Sequence, residues 1–156
     1  MDISFRTEQG RFNYRVCAVM LREGKLLTMQ DELSPYSYLP GGRVKMHETA
    51  EDAIRREIRE ELHISVQPER PLWLCQSFFT DAANRERYHE ICLYYLVDAS
   101  DNLPHGSFSI PDNGHEHIFT WVSLPELKDF NLVPEFIKEK IWKLPEKIEF
   151  ITEAQI

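Results

Sequence analysis

The sequence is poor in the features that mark several functional classes. Its only cysteines are Cys17, Cys75 and Cys92, an odd number without metal-type spacing, and each lies within an apolar run. That argues against a disulfide framework and a zinc ribbon, and leaves small buried thiols in a reduced cytosol as the expectation. Positive charge is scarce too: 18 Lys and Arg against 26 Asp and Glu leave a formal net charge of −8. Binding to nucleic acid backbones needs clustered cations, so duplex DNA or RNA is not an expected partner. A small phosphorylated ligand stays open, because a metal can supply positive charge locally. No stretch approaches the length of a membrane-spanning helix, and the opening MDISFRTEQG is polar where a signal peptide would be apolar. A cytoplasmic protein with no membrane partner is the expectation.

What is present suits one folded unit over residues 1–156, with aromatics at 12% arguing against disorder. Asn13 to Arg22 and Lys25 to Gln30 read as strands joined at Glu23-Gly24 into a hairpin. A polar, proline-containing loop from Asp31 to Tyr38 ends abruptly at Leu39-Pro40-Gly41-Gly42. From Thr49 to Leu62 the period becomes helical, with Ala50, Ile54, Ile58 and Leu62 on one stripe and Thr49 and Asp52 as a weak capping box. Further strands are expected at Ile64–Val66, Leu72–Thr80, Arg87–Val97 and His117–Val122. Ser100 to Gly114, with Pro104, Gly106, Pro111 and Gly114, reads as a long surface loop. Helices are expected at Leu124–Lys128 and Pro134–Lys143, and Ile148–Ile156 is either an added strand or a frayed tail. This order implies an α/β layered domain with a mixed sheet.

The chemistry is concentrated in the helix. At 3.6 residues per turn, Glu57, Glu60 and Glu61 fall within an arc of roughly 100° beside the apolar stripe, at the edge of the packed face. Carboxylates that close repel one another unless a cation lies among them, and hard divalent cations prefer such oxygen donors. Composition alone is no guide, since Glu faces with interleaved Arg are ordinarily solvated surfaces. The spacing is what discriminates.

The segment GGRVKMHETAEDAIRREIREELHI resembles the Nudix box, G-x5-E-x7-R-E-U-x-E-E-x-G-U with U apolar. Gly42, Glu48, Arg56, Glu57, Ile58, Glu60, Glu61 and Ile64 fill its positions, so the box spans residues 42–64. His63 stands where the family has glycine. Histidine is among the residues that tolerate the left-handed conformation ending a helix, so the fold and the acids are expected to survive the exchange. The resemblance implies an α/β Nudix fold, a mixed β-sheet sandwiched between α-helices. It also implies Mg²⁺-dependent hydrolysis, with Mn²⁺ as a substitute, of a diphosphate linkage in a nucleoside diphosphate joined to another moiety X. Glu60 and Glu61 would be the principal metal ligands, Glu57 a further ligand or the general base, and the Gly41 carbonyl an added ligand. Arg56 would orient the glutamates, and Glu48 would be a supporting ligand.

Weaker signals complete the set. Glu116 resembles the family's downstream acid, with Glu90 as runner-up; His115, Glu116 and His117 do not form a zinc site on a strand, because alternate residues face opposite ways. Arg43, Tyr38 and Phe79 are candidates to contact a small nucleotide diphosphate substrate. The family's dimers admit a homodimer. An inactive Nudix-fold sensor module is the alternative reading, disfavoured by the intact glutamates, and an allylic-diphosphate isomerase is a third, without an evident catalytic cysteine. Sequence markers of ADP-ribose, dinucleoside-polyphosphate and coenzyme A specificity are absent.

Overall fold

Side chains alternate along a strand, so each strand serves two faces. In the computed structural model, which describes residues 1–99 and 101–155, the first five strands are β1 (Ser4–Thr7), β2 (Gly10–Val19), β3 (Leu21–Arg22), β4 (Lys25–Asp31) and β5 (Gly41–Arg43). Helix α1 (Ala50–Leu62) follows, then β6 (Pro68–Thr80), β7 (Arg87–Val97), β8 (Phe108–Asp112) and β9 (His115–Ser123). A 3-10 segment (Leu124–Asp129), helix α2 (Phe136–Lys140) and β10 (Glu149–Gln155) complete the described chain. The larger sheet has the order β1-β2-β7-β6-β10, with β5 also pairing β2, and the smaller has the order β3-β4-β9-β8. β2 runs parallel to β7 and β10 parallel to β6, whereas β6 and β7 are antiparallel, so the larger sheet is mixed.

Two apolar cores follow from the alternation. Val16 and Ala18 of β2 join Leu27 and Met29 of β4 and Phe119 of β9 in packing against Ala53, Ile54, Ile58 and Leu62 of α1. Cys17 and Val19, turned the other way, join Trp73 and Tyr94 and meet Leu127, Phe136 and Ile137. The sheets thus lie between α1 and the 3-10 segment with α2, the layered arrangement anticipated from the element order. Among the described residues no helix is long and apolar enough to cross a membrane.

Several boundaries differ from the expectations. The anticipated first strand breaks at Met20 and passes from one sheet to the other, β2 in the larger and β3 in the smaller. Ile64–Val66 is irregular. β6 begins at Pro68 rather than Leu72, and the register shifts where Pro68 and Pro71 lie, because proline cannot donate to the ladder. The anticipated loop up to Gly114 contains β8, paired with β9 and anchored by Phe108 stacked on Phe119 at 5.0 Å. The helix expected at Leu124–Lys128 is a 3-10 segment one residue longer, the helix expected at Pro134–Lys143 shortens to the five residues of α2, and the ambiguous tail is β10. Ser100 and Ile156, which belonged to the anticipated loop and tail, lie outside the described residues.

Candidate active site

Helix α1 is defined at both ends by local chemistry. The Thr49 hydroxyl accepts the Asp52 N–H at 3.1 Å, satisfying one of the donors that a helix start leaves bare. At the other end His63 takes φ 60° and ψ 31°, and its N–H returns to the Arg59 carbonyl at 3.0 Å. Histidine therefore occupies the left-handed cap itself, at a cost of about 1 kcal/mol relative to glycine.

Between those ends one guanidinium orders the acids. Arg56 Nε donates to Glu48 Oε2 at 2.7 Å and Nη2 to Glu48 Oε1 at 2.9 Å, a bidentate pair. Nη2 also reaches the Arg43 carbonyl at 2.9 Å. Nη1 donates to Glu57 Oε1 at 2.8 Å and stands 3.5 Å from Glu60 Oε2. The hydrogen bonds from Arg56 hold the Glu48 carboxyl below the usual range. Glu57 moves the other way, because its burial outweighs the pull of Arg56. Glu61 accepts the Gly41 N–H at 3.0 Å, yet burial, and then the neighbouring Glu57, push its carboxyl well above the usual range.

The two glycines before the helix make room for this arrangement. Gly41 is paired with Cys17 of β2, and a side-chain carbon there would collide with the Val16 carbonyl. A side-chain carbon on Gly42 would strike the carboxyl group of Glu57.

Glu57, Glu60 and Glu61 open onto a cleft of about 1430 Å³, ample for a nucleotide-sized ligand when small-molecule sites run roughly 300–1,000 Å³. Its floor is one face of the larger sheet. Asn13, Glu90, Ser77 and Glu153 are successive partners across β2, β7, β6 and β10, and Arg15 partners Cys92 in the neighbouring row. Tyr36 and Tyr38 line the cleft from the loop after β4, and Phe79 lines it from β6, stacked on Tyr88 at 4.9 Å.

The sequence-stated candidates thus separate. Glu57, Glu60, Glu61, Gly41, Tyr38 and Phe79 meet in the cleft. Glu48 and Arg56 stand behind it, and Glu48 is engaged by Arg56 and by the Lys45 N–H at 3.0 Å. Arg43 turns to Asp2, 3.9 Å away, and does not line the cleft. Glu116 is exposed on β9 of the smaller sheet, outside the cleft, whereas Glu90 lies within it. His115 and His117 face Glu32 at 3.8 Å and Asp31 at 3.4 Å respectively. Cys17 and Cys92, expected only as small buried thiols, also line the cleft, as do Arg15 and Glu153, which no sequence motif marks. Only strand pairing brings them together, although the alternation within β2 already put Arg15 and Cys17 on one face.

Among the described residues no three His, Cys, Asp or Glu side chains stand close enough to hold an ion as they are. Glu57 is turned onto Arg56 and Glu61 onto Gly41. The donor chemistry nevertheless fits a hard divalent cation. Glu57 raises Glu61 and Glu60 raises Glu57, a mutual repulsion that a cation among the three would remove.

The family model described as the NUDIX domain matches residues 11–141. No curated protein matches the chain. Among solved structures, a MutT NUDIX hydrolase from Burkholderia pseudomallei is similar at 30% identity over 73% of this chain and 84% of that one, with a TM-score of 0.55. The MutT protein of Methanosarcina mazei Go1 shares the fold at 19% identity over 85% of this chain and 91% of that one, TM-score 0.60. The E. coli ORF135 protein does so at 21% identity over 81% and 84%, TM-score 0.53.

Proposed function

Because the chain belongs to the Nudix family, hydrolases that act on pyrophosphate bonds and generally on nucleoside diphosphate derivatives, we propose that residues 1–156 form one domain performing Mg²⁺-dependent hydrolysis of the diphosphate linkage in a nucleoside diphosphate joined to a second moiety. The observation that carries this reading is the opening of Glu57, Glu60 and Glu61 onto the same cleft as Tyr38 and Phe79. Acids for the diphosphate end and aromatic rings for a base or an apolar group thus share one space.

Glu57, Glu60 and Glu61 would hold the cation, with the Gly41 carbonyl as a further donor and Mn²⁺ an acceptable replacement. When bound, the ion supplies Lewis-acid neutralisation of charge on the diphosphate oxygens. The remaining work belongs to the chain. Glu57 Oε1 is held by Arg56, which leaves Oε2 to accept a proton from the attacking water. Arg56, itself held by Glu48, limits the rotation of Glu57 and so aims Oε2. Tyr38 and Phe79 offer faces for the organic end of the substrate.

A panel of nucleoside triphosphates, nucleotide sugars, ADP-ribose and dinucleoside polyphosphates, incubated with Mg²⁺, tests the reading and names the substrate. Glu57→Gln and Glu60→Gln are each expected to remove most Mg²⁺-dependent turnover while the protein stays folded by circular dichroism. Wild-type rates from both would overturn it, and binding without phosphate or nucleotide release would point to a sensor.

A further inference from the structure

Arg15 on β2 lines the cleft, partly buried, with no bonded partner. Among the described residues its guanidinium donates no hydrogen bond and forms no ion pair within 4.0 Å. Arg6 and Arg11 are engaged with Glu86, Arg43 with Asp2 and Arg56 with Glu48, whereas Arg59 and Arg87, which share the lack of a partner among the described residues, are exposed and lie outside this cleft. A desolvated guanidinium is unfavourable when its five planar donors lie idle, and it is built to take two oxygens of one oxyanion.

Its position indicates which oxyanion. Arg15 stands two residues from Cys17 on the same face of β2, and Cys17 is the register partner of Gly41, whose N–H holds Glu61. Arg15 lines the same cleft as Glu57 and Glu61 and acts on both carboxyls electrostatically, while forming no ion pair with either. On its other side, diagonally across the parallel pair β2 and β7, lies Glu90, whose Oε2 is taken by Asn13 Nδ2 at 2.8 Å. Among the described residues no carboxylate pairs with Arg15 within 4.0 Å, and Glu90 acts on it only through its charge. A ligand that meets a cation among Glu57, Glu60 and Glu61 and also reaches the adjacent guanidinium must carry anionic oxygens on two sides.

We propose that Arg15 anchors the substrate's diphosphate by the phosphoryl oxygens that face away from Glu57, Glu60 and Glu61. The inference rests on the hydrolase reading and deepens it, because it makes the site two-sided. The metal-binding acids take one edge of the diphosphate and Arg15 the other, so the bond to be cut is fixed between them. Arg15 is then a binding residue, and its loss weakens substrate capture more than turnover.

The test uses the full chain with Mg²⁺ and methylenediphosphonate, which keeps the diphosphate oxygens, lacks a base and cannot be hydrolysed. Calorimetric titration of wild type, Arg15→Gln, Arg15→Lys and the exposed-surface control Lys147→Gln is read beside melting curves without ligand. Arg15→Gln is expected to weaken binding by about tenfold or more and Arg15→Lys by about threefold, since lysine keeps the charge and loses the planar fork. Lys147→Gln is expected to bind as wild type. Affinity unchanged in Arg15→Gln, or no binding by the wild type, overturns the proposal. Should Arg15→Gln fail to fold, Arg15→Lys decides alone, a loss supporting the anchor and wild-type affinity contradicting it. Kinetics on the nucleotide panel keep the two readings apart. A wild type that cleaves nothing but binds methylenediphosphonate through Arg15 would sink hydrolysis and leave the anchor. A wild type that cleaves while the Arg15 variants keep its KM would sink the anchor and leave hydrolysis.

Discussion

At the scale of single residues, space and charge at the site are tightly shared. Gly42 and Glu57 cannot both carry side-chain bulk at their point of contact. Gly42→Ala is therefore expected to displace the Glu57 carboxyl and lower kcat by about tenfold or more, since small misplacements of reacting groups are costly. The chain should still fold, because Gly42 is not in the left-handed region. A variant with wild-type kcat would show that Glu57 need not occupy that space. Glu48 carries a related argument. It touches Arg56 rather than the cleft, so Glu48→Gln should lower kcat by about tenfold with little change in KM. A fall in KM-linked binding instead would mark it as a ligand to substrate or metal. At this scale the box residues were legible, because their spacing lies within one helix. Arg15 was not, and Glu116 was preferred to Glu90, because which acid or base enters the cleft depends on pairings between strands distant in sequence.

Elements show a parallel division. The stripe of Ala50, Ile54, Ile58 and Leu62 announced α1 because a period of four repeated without a breaker, and all four side chains are buried. Ile58→Ala leaves a hole where the side chain has 0% exposure, and should cost about 2–5 kcal/mol in urea unfolding. A loss well under 1 kcal/mol would mean that the helix is not packed as described. β8 was hidden, since Pro111 and the flanking glycines read as loop, yet Phe108 and Ile110 earn an edge strand its place against the α1-side core. The turn between β6 and β7 offers a pH test. Hydrogen bonds from Arg6 and then Arg11 hold the Glu86 carboxyl down to about 2, below its ordinary value of about 4.5. A depressed folded pKa means that the clamp's stabilisation is present above about 4.5 and disappears as pH falls toward about 2. Glu86→Gln should therefore melt below wild type near neutral pH, and the gap should close as pH falls through that window. A gap that persists at the acid end would exclude this linkage.

Across the whole molecule, the cleft needs almost every layer. Glu57, Glu60 and Glu61 come from α1, Arg15 and Glu90 from the larger sheet, His117 from the smaller sheet and Glu153 from the last strand. The layered α/β architecture was readable from element order, because alternating periods name strands and helices locally. The division into two sheets was not, since it turns on the single break at Met20, an apolar residue inside an apolar run. Nor was the cleft's floor, which exists only when β2, β7, β6 and β10 lie side by side. On the proposed function, a chain of net charge −8 would need a cation among the glutamates, together with Arg15, to draw in an anionic substrate.

The most direct measurement is ³¹P NMR of the nucleotide panel incubated with wild type and with Glu57→Gln, each with Mg²⁺ and again with excess chelator. Loss of a diphosphate resonance and growth of phosphate-ester resonances is expected only for the wild type with Mg²⁺. Equal cleavage by Glu57→Gln, or cleavage undiminished by the chelator, would contradict a metal-dependent site built on α1.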